Sequence, residues 1–216
     1  MIELILPSAA SCVETFQDED AELFPAEQAA MAGAVEQRRT EFASVRWCAR
    51  RALAGLGVLA VPLVPGEWGA PTWPHGIVGS MTHCIGYRAS VVAHSSEIIA
   101  LGIDADQNVP LPTGVAEIVA AQEELRALPR SSDTAWDRVL FSAKESVYKA
   151  WFPLTRRFLN FDEAEIDIDP DGSFSARILV PATMPSGEAL TGFGGRWIVA
   201  HGLVATAIAV TNARTA

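Results

Sequence analysis

Lysine is almost absent from this chain. Of 16 basic residues among 216, only Lys144 and Lys149 are lysines, and both fall in one short stretch, so arginine supplies nearly all the positive charge. Cysteine is scarce too. Cys12, Cys48 and Cys84 are scattered, odd in number and without metal-type spacing, which excludes a disulfide framework or a cysteine zinc site and predicts a reduced, cytoplasmic protein. Long apolar runs are missing: no segment approaches ~20 uninterrupted apolar residues, which rules out a transmembrane helix of ordinary length. The opening MIELILPSAAS has an acid at position 3, no basic n-region and too short an apolar run for a signal peptide. Net positive charge is also lacking. A formal charge of −10 and a pI near 4.8 disfavour nucleic acid or an anionic membrane as the main partner.

What the chain does have is apolar mass, half of its residues, enough for one domain or two closely packed halves. The most informative stretch is Trp136 to Trp151, WDRVLFSAKESVYKAW. Trp136, Val139, Leu140, Ala143, Val147, Ala150 and Trp151 recur at three and four, the period of an amphipathic helix, and fall within a face roughly 120° wide. Glu145 and Lys149 project from the other side one turn apart, with Phe141 near them and Lys144 at the stripe's edge. Taken alone, Glu145 and Lys149 make an i, i+4 pair on a solvated face, worth about 0.2–0.5 kcal/mol.

The beginning of the chain predicts a short strand, Ile2 to Leu6, stopped by Pro7, and then an acidic stretch with no base before Arg38. There the charge inverts: Arg38, Arg39, Arg46, Arg50 and Arg51 face a single acid, Glu41. Phe42, Val45, Ala49, Leu53 and Leu56 form the stripe of this second helix, and Gly57 fits its C-terminal cap. Arg39, Arg46 and Arg50 share one flank. Such arginines often only lay their stems along a buried face, yet a cluster has the planar, bidentate chemistry for a phosphate monoester.

After a Pro/Gly/Trp-rich loop, PLVPGEWGAPTWPHG, come two strand-like runs, Ile77 to Cys84 and Arg88 to Ala93. The first holds GSMTHC, residues 79–84, but no G-x-S-x-G elbow surrounds Ser80 and His83, so a hydrolase dyad is rejected. A buried strand follows, Ile98 to Ile103, and Asp104 and Asp106 at its exit point to the same side. Paired acids in such a place are costly without a compensating cation; Mg²⁺ needs only a few carboxylates and takes its remaining ligands from water and phosphate. Downstream, the pattern predicts a helix from Val115 to Leu128 and two hairpins, around Asp171–Gly172 and Gly202. A faint echo between the stretches after His83 and after His201 suggests two similar α+β halves, 1–106 and 107–216.

GSMTHC (79–84), GIDAD (102–106) and FSAKESVYKAW (141–151), in this order and spacing, resemble the three signature motifs of the 4'-phosphopantetheinyl transferases. The likeness is to the single-chain, pseudodimeric type that serves siderophore, peptide and polyketide synthases, especially in actinobacteria. RRTEF (38–42), VRWCAR (45–50), GAPTWPHG (69–76) and WFPLTRR (151–157) extend it. The resemblance implies an α+β fold of two halves about a pseudo-twofold axis, with coenzyme A in the cleft between them. It implies transfer of the 4'-phosphopantetheine arm to a serine of an apo acyl or peptidyl carrier domain, with release of adenosine 3',5'-bisphosphate, by a cytoplasmic monomer using Mg²⁺ or Mn²⁺. By position, Asp104, Asp106 and Glu145 match the metal-binding acids and Lys149 the phosphate-contacting lysine. Arg38, Arg46, Ser80, His83 and Lys144 match residues that hold coenzyme A. Position 106 is Asp where many relatives carry Glu, and Pro65 and Trp68 stand where close relatives carry lysines. An aromatic anchor at Trp151–Phe152 rimmed by Arg156 and Arg157, which Pro153 is expected to turn outward by ending the helix, is a candidate carrier-docking surface. Two rivals are weighed, the first using the same acids and the second predicting a disrupted acid triad. One is another Mg²⁺-dependent phosphoryl-transfer enzyme, although the chain has no P-loop. The other is a non-catalytic module that binds coenzyme A or a carrier.

Overall fold

A computed structural model describes residues 1–130 and 133–212. Its elements form two antiparallel sheets, each covered by one long helix. In the first sheet, β3 (Tyr87–His94) lies between β1 (Ser11–Thr15) and β2 (Ile77–Cys84). The second sheet has the order β4-β8-β7-β6-β5, with β4 Ile98–Gln107, β5 Ala164–Asp169, β6 Ser173–Ile178, β7 Gly192–Ala200 and β8 Leu203–Thr211. After the short α1 (Pro25–Ala30), helix α2 (Glu36–Gly55) buries Ala49, Ala52 and Leu53 against the first sheet. Both hairpins expected in the second half form, and the α+β class is as the sequence predicts.

Helix α5 (Trp136–Thr155) lays Val139, Leu140, Ala143, Val147 and Ala150 on the second sheet. It sits very close to β4. A Cβ at Gly102 would lie 2.0 Å from the Ser146 carbonyl oxygen and 2.8 Å from the Ala150 nitrogen, both backbone atoms that cannot swing aside. Only glycine lets helix and strand approach so far. A buried hydroxyl cluster fixes the register, with Thr206 Oγ1 within 2.5 Å of Ser146 Oγ and 3.0 Å of Ser142 Oγ.

Three expectations need correction. The residues Ile2–Ile5 form a 3₁₀ turn, because Ile2 and Ile5 are buried three apart rather than in alternation. The helix expected at 115–128 is broken into α3 (Ala116–Val119) and α4 (Gln122–Ala127). Ala120 and Ala121 are extended, and the Glu124 carboxylate accepts the Ala121 N–H to start a new helix. Pro153 does not end α5. It lies in the last turn, where its missing N–H costs one bond, and the helix runs on to Thr155, stopping only when Arg156 turns left-handed (φ 54°). β4 belongs to the second sheet, so sheet membership changes at the turn before Ile98.

The two sheets meet edge to edge at β2 and β4, but no backbone ladder joins them. Instead the Ile103 N–H donates to Ser80 Oγ (3.0 Å) and the Ala105 N–H to Thr82 Oγ1 (3.0 Å). Two hydroxyls thus occupy the place of backbone carbonyls, satisfying buried donors that would otherwise be costly.

Candidate functional site

A cavity of about 630 Å³ opens between the halves, lined by α2, the loop 66–73, β2, β4 and α5. Six of the predicted residues line it: Arg38, Arg46, Ser80, His83, Glu145 and Lys149. Arg46 is buried, its Nε donating to the Leu63 carbonyl (3.1 Å) and its guanidinium 3.3 Å from the Phe42 ring centroid. Burial pulls its pKa down to about 10, so it is still a cation at neutral pH. Its two Nη nitrogens have no protein partner among the described residues and remain available to an anion. Arg39 and Arg50, expected beside it, are used elsewhere. Arg39 donates to the Ala32 carbonyl, and Arg50 pairs with the fully buried Glu27.

Arg38 Nη1 lies 2.7 Å from His83 Nε2. A guanidinium can only donate, so Nε2 accepts and the neutral imidazole carries its proton on Nδ1. Burial, then the positive charge of Arg38, hold the His83 pKa below its ordinary value, in keeping with that form.

At the α5 wall, Lys149 Nζ donates to Asp104 Oδ1 (2.8 Å) and to the Ile103 carbonyl (2.9 Å). Thr82 Oγ1 donates to the same Asp104 oxygen (3.3 Å), leaving Oδ2 without a protein donor among the described residues. Glu145 is close enough to feel Asp104. Burial first, and then the Asp104 charge, push its pKa up, with Lys149 opposing. Two carboxylates that repel each other, one with a free oxygen, are a hard-oxygen donor set suited to a divalent cation that fills its shell from phosphate and water.

Two predicted residues are not brought to this point. Asp106 binds Arg138 Nη1 (2.5 Å) and the Gln107 N–H, while Arg138 also holds the carbonyls of Val109 and Pro110. Among the described residues no three His, Cys, Asp or Glu side chains are grouped closely enough to hold a metal, and the Asp106 carboxylate is taken up by Arg138 and the Gln107 N–H. Lys144 faces the back of α5. It is 3% exposed, and its three donors go to Glu124 (3.0 Å), the Phe161 carbonyl (2.8 Å) and the Ala164 carbonyl (2.8 Å), leaving none for coenzyme A. Similarly, Trp151 and Phe152 are core (0% and 2% exposed), so they offer no aromatic docking anchor.

Sequence reasoning gave no role in the cleft to three residues found at it. Thr82 was hidden inside a strand pattern, although its position between Ser80 and His83 puts it on the same strand face as Ser80. Tyr148, whose pKa is raised by burial and by Glu145, lines the cavity and stacks toward Phe158 (5.4 Å) and Phe152 (6.1 Å). Trp68, at a left-handed position (φ 53°), reaches across from the loop to Phe158 (5.5 Å).

Comparison with known proteins places the whole chain in one family. Residues 26–93 match the 4'-phosphopantetheinyl transferase N-terminal domain, and residues 100–200 match the 4'-phosphopantetheinyl transferase superfamily. The gap between the two matches falls where the sheets divide. The chain is 52% identical to the 4'-phosphopantetheinyl transferase Svp of Streptomyces mobaraensis, over 97% of this chain and 89% of that protein. It is 45% identical to Npt of Nocardia iowensis, over 97% and 99%, and 47% identical to PptT of Mycobacterium tuberculosis, over 85% and 84%. Such identity across nearly the whole length, with both halves matched, makes the chain a member of the 4'-phosphopantetheinyl transferase family, an enzyme that moves the 4'-phosphopantetheine arm of coenzyme A onto carrier proteins.

Proposed function

We propose that Asp104, Glu145 and Lys149 form the reacting end of the cleft and that Arg38, Arg46, Ser80 and His83 form its coenzyme-holding end. The observation supporting this most directly is the Lys149–Asp104 pair beside a Glu145 whose proton affinity is raised. A divalent ion, Mg²⁺ or Mn²⁺, would be held by Asp104 and Glu145, and would neutralise charge on the diphosphate of coenzyme A. Asp106, tied to Arg138, is given no share in that ion.

The carrier serine oxygen forms a bond to the β-phosphorus as the bond to the adenosine 3',5'-bisphosphate oxygen breaks. Lys149 meets the charge developing on the phosphoryl oxygens. Glu145 takes the serine proton, directly or through a water. Arg46 and Arg38 bind the 3'-phosphate, which leaves with the nucleotide and takes no part in bond making. Acyl and peptidyl carrier domains are the acceptors in this reading, and the enzyme works as a cytoplasmic monomer. Among the described residues no helix is long and apolar enough to cross a membrane, and the three cysteines are unpaired.

The test is transfer to an apo carrier protein, read as a mass gain of ~340 Da for phosphopantetheine. Wild type gains it with coenzyme A and Mg²⁺, whereas Asp104→Asn and Glu145→Gln lose at least ~10²-fold in turnover. Near-normal rates in both would remove these residues from the reacting end.

A further inference from the structure

The strand seam between the two sheets contains an asymmetry. Ser80 and Thr82 perform the same structural task, each accepting one β4 amide proton. Only Thr82 also touches a carboxylate of the site. It is 3% exposed, and because the Ala105 N–H occupies a lone pair of its oxygen, its single hydrogen is free for another acceptor. Asp104 Oδ1 lies 3.3 Å away. Lys149 donates to that same oxygen at 2.8 Å.

We infer that Thr82 is a positioning residue for the transfer: its hydroxyl, with Lys149, holds Asp104 by Oδ1 and so turns Oδ2 toward the divalent ion. A carboxylate with both donors on one oxygen has its rotation about the Cβ–Cγ bond fixed by two contacts from different elements, β2 and α5. Its other oxygen is then presented without a competing proton donor. Thr82 also couples the halves, since β2 belongs to the first sheet and Asp104 to the second. A shift of β2, which carries Ser80 and His83 at the coenzyme-holding end, would be felt directly at Asp104. The hydroxyl is replaceable by serine but not by the isosteric valine.

This inference rests on Asp104 being a metal-facing carboxylate, and the experiment separates the two. Wild type, Thr82→Val, Thr82→Ser, Asp104→Asn and the Thr82→Val/Asp104→Asn double variant are compared in three readouts: turnover, KM for coenzyme A, and Mn²⁺ affinity by spin resonance with coenzyme A present. Thr82→Val should lower kcat by about 10-fold and weaken Mn²⁺ binding several-fold, with KM for coenzyme A within about 2-fold, the range of a lost hydrogen bond to a charged group. Thr82→Ser should restore both to within about 3-fold of wild type. In the Asp104→Asn background, the valine change should add less than about 2-fold, because a residue acting through Asp104 has nothing left to orient. Should the valine variant fail to fold, Thr82→Ala against Thr82→Ser makes the same comparison, since those two differ only by the hydroxyl. Unchanged Mn²⁺ affinity in Thr82→Val, or an effect that adds in full to Asp104→Asn, overturns the inference. An Asp104→Asn variant with wild-type activity and Mn²⁺ affinity overturns instead the reading of the site.

Discussion

Lys144 and Lys149 lie five residues apart on one helix, yet the two sides of α5 they occupy have opposite chemistry. The back face holds Lys144 in a closed shell, its three donors spent on Glu124 and two carbonyls, with the side chain 2% exposed. Glu124 is equally enclosed, its other oxygen accepting the Ile166 N–H (2.8 Å). The front face leaves Lys149 27% exposed, with bonds to Asp104 and the Ile103 carbonyl and one donor over for the cavity. The difference is saturation. An ammonium whose three donors are all satisfied by the fold is structural, whereas one with a free donor beside an acid and a cavity can serve a ligand.

Breaking each side should therefore damage a different property. The largest effect is expected on the front. Lys149→Ala should cost at least ~10²-fold in kcat, as losing a preorganised charge at a phosphoryl centre does, while thermal unfolding moves little because the site is half open. Transfer rates beside a melting curve check it, and a rate within a few-fold of wild type would return Lys149 to the solvated face. On the back, Lys144→Met should cost about 3–5 kcal/mol, since it strands the buried Glu124 carboxylate. For a chain of this size that is a fall in Tm of roughly 6–20 °C. Turnover per folded molecule should stay within a few-fold, and adding Glu124→Gln should recover part of the stability. If instead Lys144→Met keeps its Tm and loses coenzyme A affinity, the contrast between the faces collapses.

The contrast also explains what could be read in the sequence. The periodicity of α5 located Val139, Leu140, Ala143, Val147, Ala150 and Trp151, all buried, though Trp136 is only half-buried and Ser142 and Ser146 are buried without belonging to the apolar stripe. The strands around His83 and Asp104 emerged from apolar runs with turn residues at their ends. Periodicity locates a side chain on a helix, though, and says nothing of what the rest of the chain brings against it. Lys144 stood at the edge of the stripe, and only the fold supplies Glu124 from α4 and two carbonyls from 161 and 164. The Asp106–Arg138 pair was illegible for the same reason, since Arg138 lies 32 positions away and no local pattern links them. The break at Ala120–Ala121 came from Glu124 bonding backwards to an amide, a capping signal embedded in an otherwise helical composition. Resemblance to a family carried roles to Lys144 and Lys149 alike, whereas the fold spends all three donors of Lys144 on Glu124 and two carbonyls and leaves one of Lys149 over.

A smaller effect sharpens the coenzyme-holding end against the reacting end. If Arg46 holds the 3'-phosphate as proposed, away from bond making, Arg46→Ala should act on KM for coenzyme A, by about 10- to 100-fold for the loss of a contact worth about 1.5–3 kcal/mol, and much less on kcat. Dephospho-coenzyme A is the control: wild type should discriminate against it, and the variant should not. Retained discrimination would assign the 3'-phosphate to another residue.

The smallest effect concerns stability at the reacting end, and its sign can be worked out. Burial and Asp104 raise the Glu145 pKa in the folded chain above its value in the unfolded one. A proton is therefore held more tightly by the folded state, so this group's contribution to stability is fully present below the unfolded pKa, near 4.3, and is lost as pH rises through the folded value. At neutral pH and without metal, an ionised Glu145 beside Asp104 is a cost to the fold. Glu145→Gln removes the charge and keeps the shape. In metal-free buffer it should melt above wild type at about pH 7–8, the difference shrinking toward zero at about pH 4, where wild type is itself protonated. A divalent ion added with coenzyme A should narrow the gap at pH 7–8, because it stabilises only the form that binds it. The same residue that destabilises the empty fold is, on the other face of the comparison, the counterpart of a Glu124 whose charge is fully met by Lys144. Equal melting offsets at both pH values, or a variant less stable than wild type at pH 8, would mean that Glu145 is not held against an unmet negative charge.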